Sequence, residues 1–219
     1  MTSPPKPEIE GVGIVLVGSL NPRIFQPAWF AAENLIREEE EQAAKIELIH
    51  RQVAIFSLDW LHLQVTDEQF MATTTQSSFY EPLRDLVLGT FRLLRHTPIR
   101  MMGLNRDCHF RMSSEEAYHG LGHRLTPKEP WAGILKEPGM RSLTMEGLRP
   151  DNLKGYIRVR VEPSVRVHPG VFININDHYE VKDAATVRGC DEIIDILDRE
   201  WKSSLDRSAE IASLLLESK

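Results

Sequence analysis

Two scarcities limit the classes of protein that this sequence can encode. Only Cys108 and Cys190 are cysteines among its 219 residues, so we do not expect a disulfide framework. We expect a reducing, cytoplasmic location instead. The longest apolar run covers roughly residues 12–20, whereas a membrane-spanning helix needs about 20 apolar residues. We therefore expect a cytoplasmic protein with no membrane partner.

Familiar catalytic and cofactor motifs are missing as well. The sequence has no P-loop, no G-x-S-x-G elbow, no Cys-x-x-Cys pair and no Asp-rich calcium loop. Its early glycines, Gly11, Gly13 and Gly18, do not form a G-x-G-x-x-G turn between a strand and a helix. We expect no cofactor, and the sequence favours a binding protein over an enzyme.

Charge is plentiful but unevenly distributed. Residues 84–166 hold 15 lysines and arginines against 9 acidic residues, while the segments before and after them are acidic. The simplest interpretation is that these arginines pair with the acidic flanks within one fold or across a dimer. A net charge of −6 disfavours general nucleic-acid binding.

Hydrophobic periodicity predicts an α+β fold. In the first part of the chain it indicates a central strand, a helix from Pro27 to around Glu38–Glu41, several strands and a second helix with an apolar stripe from Tyr80 to Leu94. The same order returns in the second part, where the last predicted strand covers residues 171–176. Asn174 and Asn176 to His178 at its end are most simply turn residues.

The repeated order predicts a degenerate duplication within one domain. We expect a curved, mostly antiparallel sheet with long helices on one face. The predicted domain covers residues 11–219, with halves at 12–95 and 98–217, after a flexible N-terminal tail at 1–10 that contains three prolines.

The last predicted helix, from about Cys190 to Glu217, is long for a small domain. At about 1.5 Å per residue it would extend for about 40 Å. Its apolar stripe includes Ile194, Leu197, Trp201 and Leu205. We expect this helix to reach beyond its own core and to mediate self-association.

His119 and His123 have the i, i+4 spacing of helical zinc ligands, and His109 lies on the strand before them. A metalloprotease would carry glutamate at the position of Gly120. A structural or surface histidine pair is the favoured interpretation. A metal-assisted hydrolase and a histidine acid–base site are the alternatives.

Strand alternation also predicts a surface. If Ile157 and Val159 face the helices, Tyr156, Arg158 and Arg160 face the opposite side of the sheet. An aromatic ring beside arginines suits an anionic ligand or single-stranded nucleic acid, and it suits a protein partner equally well.

Five segments resemble those of a known family: Gln26–Phe30, Phe79–Leu83, Thr97–Asn105, Gly155–Val161 and Asn176–His178. They resemble a bacterial family of sporadically distributed proteins without established chemistry. The resemblance implies an accessory or partner protein and supplies no catalytic residue. Our first hypothesis is thus a non-catalytic interaction module, either a homo-oligomer or a subunit of a bacterial assembly. Binding of an anionic ligand and metal-assisted hydrolysis are the second and third.

Overall fold

A continuous antiparallel sheet of nine strands organises the protein in a computed structural model, which describes residues 6–217. The first half contains β1 (Ile9–Gly18), α1 (Pro27–Ala32), α2 (Glu38–Gln42), β2 (Lys45–His50), β3 (Val53–Ser57), β4 (His62–Thr66), β5 (Gln69–Thr74) and α3 (Tyr80–Leu93). The second half contains β6 (Ile99–Arg111), α4 (Glu115–Leu125), β7 (Leu143–Leu148), β8 (Gly155–Pro163), β9 (Gly170–Glu180) and α5 (Asp191–Leu216).

The strand order shows how the two halves share the sheet. It runs β2-β3-β4-β5-β1-β6-β9-β8-β7, and β1 pairs with β6 at the junction. On each side of this junction, the last strand of the half comes next and the earlier strands follow outward. The second half therefore repeats the first with one strand fewer. The predicted α+β class, the mostly antiparallel sheet and the repeated order are confirmed.

The main core lies between the first half of the sheet and the long helices. Val12, Ile14 and Leu16 alternate along β1 toward this side and are at most 3% exposed. Phe70 of β5 packs edge-to-face on Phe91 of α3, with ring centroids 5.2 Å apart. Since such rings are large and apolar, their burial is a major source of stability.

The apolar stripe of the C-terminal helix packs within the chain. Ile194, Leu197 and Trp201 of α5 are buried in the main core, and Leu205 packs against it. The indole of Trp201 also donates a hydrogen bond to Glu81 of α3. The apolar stripe is therefore used within the chain, because α5 lies across both halves and contacts α3, β6 and β9. Within residues 6–217, no helix combines the length and the apolarity needed to cross a bilayer.

A buried ionic network fastens α5 to the second half of the sheet. Asp177 of β9 is 1% exposed and accepts hydrogen bonds from Arg149 and Arg207. Asp151, just after β7, accepts from the same two arginines at 3.0 and 3.1 Å. Tyr179 lies beneath the guanidinium of Arg149, at 3.7 Å. The two arginines and two aspartates of this network balance each other in charge.

Several element boundaries differ from the predictions for local reasons. The first helix ends at Ala32 rather than around Glu38–Glu41, because Asn34 adopts a left-handed φ of 57°. The acidic run then forms the short α2, whose first turn carries four glutamates that suit a helix N-terminus. β1 begins at Ile9, inside the predicted tail, and Glu8 already donates its backbone N–H to His109. Residues 1–5 of that tail lie outside the described range.

Candidate binding groove

The face of the sheet opposite α3 and α5 forms a continuous groove. Two adjoining depressions of about 650 and 690 Å³ lie on it and share Val15, Asn105, Arg160 and Asn174. The groove extends from Thr73 on β5 to Thr144 on β7. We call it the open-face groove.

The groove exists because the sheet curves. β1 and β7 are four strands apart, which in a flat sheet would separate them by about 19 Å. Val15 of β1 and Thr144 of β7 nevertheless line the same depression. The sheet therefore bends around the groove, and the volume of each depression is within the range of about 300–1,000 Å³ that ligand sites occupy.

Two glycines keep the floor of the groove low. A Cβ atom on Gly13 would lie 2.9 Å from a methyl group of Thr73. One on Gly103 would lie 2.7 Å from the side-chain nitrogen of Asn176. Any larger residue at these positions would displace the side chains of the neighbouring strands.

Amide side chains cross the floor as paired hydrogen bonds. Asn176 of β9 donates to the Oδ1 atom of Asn105 on β6, at 2.8 Å. One step along the same strands, Asn174 donates to Asp107, also at 2.8 Å. These pairs sit directly opposite each other in the β6–β9 register. They leave amide and carboxylate groups facing the groove in fixed positions.

The predicted surface of Tyr156, Arg158 and Arg160 forms one wall of the groove. All three side chains line it, as strand alternation predicts. The Tyr156 ring stacks on His178 of β9, with centroids 4.3 Å apart and an angle of 16° between the planes. The Arg158 guanidinium lies 4.9 Å from the centre of the Tyr156 ring. The Tyr156 ring is therefore held in position by His178 and Arg158.

The arginines of this wall are matched by acids. Arg158 donates to Glu146 of β7, and this hydrogen bond raises the pKa of Arg158. Arg160 lies 3.7 Å from Glu162, and Asp107 lies on the groove floor. Arg166 adds a third cation at the far end. The groove thus carries both signs of charge in similar amounts.

His109 is held in one tautomer by Ser164. The Ser164 hydroxyl oxygen accepts backbone N–H groups from Arg166 and Val167. Its own hydrogen is then left to bond the Nδ1 atom of His109, 2.8 Å away. Nδ1 is therefore the acceptor and Nε2 carries the proton. Burial lowers the pKa of His109, and nearby Arg166 lowers it further. This histidine is a neutral hydrogen-bond donor.

The three histidines proposed as metal ligands are not brought together. His119 and His123 line a small depression of about 130 Å³ beside α4, whereas His109 lies in the open-face groove. His119 is exposed, and its nearest acid is Glu115 at 3.9 Å. In the described part of the chain, no three His, Cys, Asp or Glu side chains are grouped closely enough to hold a metal ion.

Both cysteines are buried, and their thiols are protonated. Cys190 precedes α5, and the N-terminus of a helix by itself lowers the pKa of a thiol. Burial instead raises the pKa of Cys190 to about 11. Burial likewise raises the pKa of Cys108. Neither thiol is a nucleophile in this environment.

The interpretation of Asn174, Asn176, Asp177 and His178 as turn residues is wrong. β9 continues to Glu180, so all four lie within a strand. Asn174, Asn176 and His178 point into the groove, and Asp177 points into the buried ionic network. The alternation of polar and apolar residues from Ile173 onward was the signal that would have revealed this.

Comparison with models of known protein families, and separately with curated proteins, found no match to this chain. The groove therefore has to be interpreted from its own geometry and chemistry.

Proposed function

We propose that the protein is a non-catalytic protein-interaction module that binds a segment of a partner protein in the open-face groove. The observation that supports this most is the uncovered, curved face, which is continuous over six strands from β5 to β7. A face of this extent on an otherwise helix-covered sheet provides a binding surface of the length that a peptide segment needs.

The chemistry of the groove suits a protein segment. The side chains of Asn105, Asn174 and Asn176 offer both donors and acceptors, which match the N–H and C=O groups of a peptide backbone. Arginine–glutamate pairs offer both signs of charge to a partner's side chains. Tyrosine and arginine are enriched in protein interfaces for the same reasons.

We place this module in the cytoplasm. Cys108 and Cys190 are both free and lie in separate cores, where they do not meet to form a disulfide. Free thiols of this kind fit a reducing compartment.

The proposal is tested with peptides on the full chain. A phage-displayed library of random linear peptides is selected on the protein, and an enriched peptide is synthesised with a fluorophore. We expect Tyr156→Ala and Asn174→Ala each to weaken its binding at least about tenfold, a loss of about 1.4 kcal/mol. Arg92→Ala is the matched control, because Arg92 is an exposed arginine on α3, in the helix layer.

Fluorescence anisotropy measures the affinities, and circular dichroism verifies that each variant is folded. A selection that enriches no peptide contradicts the proposal. So does a peptide that binds the Tyr156 and Asn174 variants as tightly as the parent protein.

A second candidate is the binding of an anionic ligand, including single-stranded nucleic acid, by Tyr156, Arg158 and Arg160. The stacked Tyr156 and the half-exposed guanidinium groups favour it. Glu146 and Glu162 oppose it, since a polyanion would have to displace them or lie beside them. A labelled single-stranded DNA of about 20 nucleotides tests it by gel shift, because phosphate contacts weaken steeply between about 50 and 200 mM salt. Binding that Arg158→Ala abolishes would support this candidate, and absence of binding at low salt would remove it.

A further inference from the structure

The sheet has two edges, and only one of them is protected. β2 forms the first edge and carries a register shift between Ile46 and Leu48, with Lys45 and Glu47 beside it. Bulges and charged side chains are the usual means of preventing an edge strand from pairing with another chain.

The second edge, β7, lacks these features. Its pairing with β8 is regular over all six residues from Leu143 to Leu148, and it contains one charged residue, Glu146. Met145 is 63% exposed and Leu148 is 91% exposed. Within residues 6–217, no backbone hydrogen bond reaches the outer side of β7. A regular, nearly uncharged edge with exposed apolar side chains is a pairing surface.

In the first half of the sheet, the strand that corresponds to β7 is covered by one more strand. There, β3 is covered on its outer side by β2. β7 occupies the place of β3 in the second half, and no strand of the described chain lies outside it in the sheet. The chain between α4 and β7 is instead irregular over residues 126–142, apart from one turn at Glu129–Trp131. The repeat is therefore one strand short at the β7 edge.

We propose that β7 pairs with β7 of a second copy of this chain, antiparallel and across a two-fold axis at Met145. Met145 lies on the helix side of the sheet, opposite Val159, whereas Thr144 and Glu146 lie on the groove side. Antiparallel partners that face each other must lie on the same side of the sheet. A symmetric pairing is therefore centred on a residue, since a centre between two residues would mix the two sides. Centres on Met145 and on Glu146 pair the most residues of this six-residue strand.

Charge selects the first of these registers. With Glu146 at the centre, two identical carboxylates would face each other, which is destabilising. With Met145 at the centre, two exposed thioether side chains cover each other and each Glu146 faces Thr144 of the other copy. Pairing of β7 with β2 of another copy would be head-to-tail and would need several copies to form a ring or a filament, whereas the two-fold pairing closes as a dimer.

The pairing would join the two open-face grooves, because Thr144 of β7 lines the groove in each copy. This inference concerns the edge of the sheet and does not depend on what the groove binds. A dimer that binds no peptide would leave this inference intact and contradict only the peptide proposal. A monomer that binds peptide would contradict this inference and leave the peptide proposal intact.

Sedimentation equilibrium of the full chain, over loading concentrations of about 5 to 500 µM, tests the pairing. We expect a monomer–dimer equilibrium that Met145→Lys weakens at least about tenfold, because two ammonium groups would then face each other. Leu214→Lys is the matched control, since Leu214 is 61% exposed on α5. A monomer at every concentration overturns the proposal, and so does a dimer that Met145→Lys leaves unchanged.

A cross-link tests the register independently. Since Cys108 and Cys190 are buried, Met145→Cys would carry the single accessible thiol of the described chain. A short bismaleimide should join two such copies, and it should not join two copies of Ile46→Cys on the opposite edge. Cross-linking of Ile46→Cys instead, or of Ile46→Cys to Met145→Cys in a mixture, would contradict the two-fold pairing.

Discussion

Removal of Asp177 is the sharpest test of how the terminal helix is held to the sheet. Its carboxylate is 1% exposed and accepts hydrogen bonds from Arg149, Arg207 and the Tyr179 hydroxyl. The Arg149 side chain is fully buried. Asp177→Ala would therefore leave a buried cation without one of its two carboxylate partners.

The magnitude follows from what remains. Breaking a buried ion pair by removing one partner costs about 3–5 kcal/mol, because the other charge stays desolvated. Asp151 still accepts from both arginines in the variant. We therefore expect the lower end, a loss of about 3 kcal/mol in the free energy of unfolding. Asp198→Ala, which breaks an exposed pair with Arg92, should cost less than about 1 kcal/mol.

Urea denaturation followed by circular dichroism measures both losses. The double variant Asp177→Ala/Arg149→Met provides the internal control, since it removes the uncompensated charge along with its partner. It should lose less than the sum of the two single variants. If Asp177→Ala costs no more than Asp198→Ala, or if the double variant is additive, Asp177 and Arg149 are not coupled as the buried network requires.

Three other predictions follow from the buried groups and one helix position. Burial lowers the pKa of His109 and of His178 from 6.5, so the unfolded chain takes up their protons first and stability is lost as pH falls below about 6.5. The urea midpoint should fall as the pH is lowered from about 7 to 5, and it should fall by less in His178→Gln. An equal fall of the midpoint in the variant and the parent protein would contradict this. Cys108 and Cys190 should not react with Ellman's reagent at about pH 8 until urea unfolds the chain; rapid reaction of the native protein would show that the thiols are accessible. Gly120→Ala should stabilise the protein by about 0.5–1 kcal/mol in the same denaturation assay, because a Cβ there meets no atom within 4 Å; destabilisation would show that α4 needs this glycine.

Local patterns predicted most of the fold. The alternation in β8 and the apolar stripe of α3 are properties of neighbouring residues, and the structure places both elements within a few residues of the prediction. The repeated order of elements was also visible, because each half consists of segments that follow one another along the chain. Boundaries were less predictable where a single backbone conformation intervened, as at Asn34.

The groove was predictable only in part. Alternation along β8 placed Tyr156, Arg158 and Arg160 on the face away from the helices. It did not place Asn105 beside Asn176 or His109 beside Ser164, because these pairs are 71 and 55 residues apart. Such contacts depend on which strands become neighbours in the sheet. The helical spacing of His119 and His123 was real, but spacing on one helix supplies only two ligands.

The sequence by itself determined the α+β class, the repeat and the faces on which most strand residues lie, because periodicity acts over a few residues. Only the tertiary structure decided where the apolar stripe of α5 is used, which arginines are neutralised and which sheet edge stays open. These outcomes depend on long-range packing. The terminal helix could have covered either this chain or a second copy, and it is the buried contacts of Trp201 and Leu197 with the chain's own core that assign it to this chain.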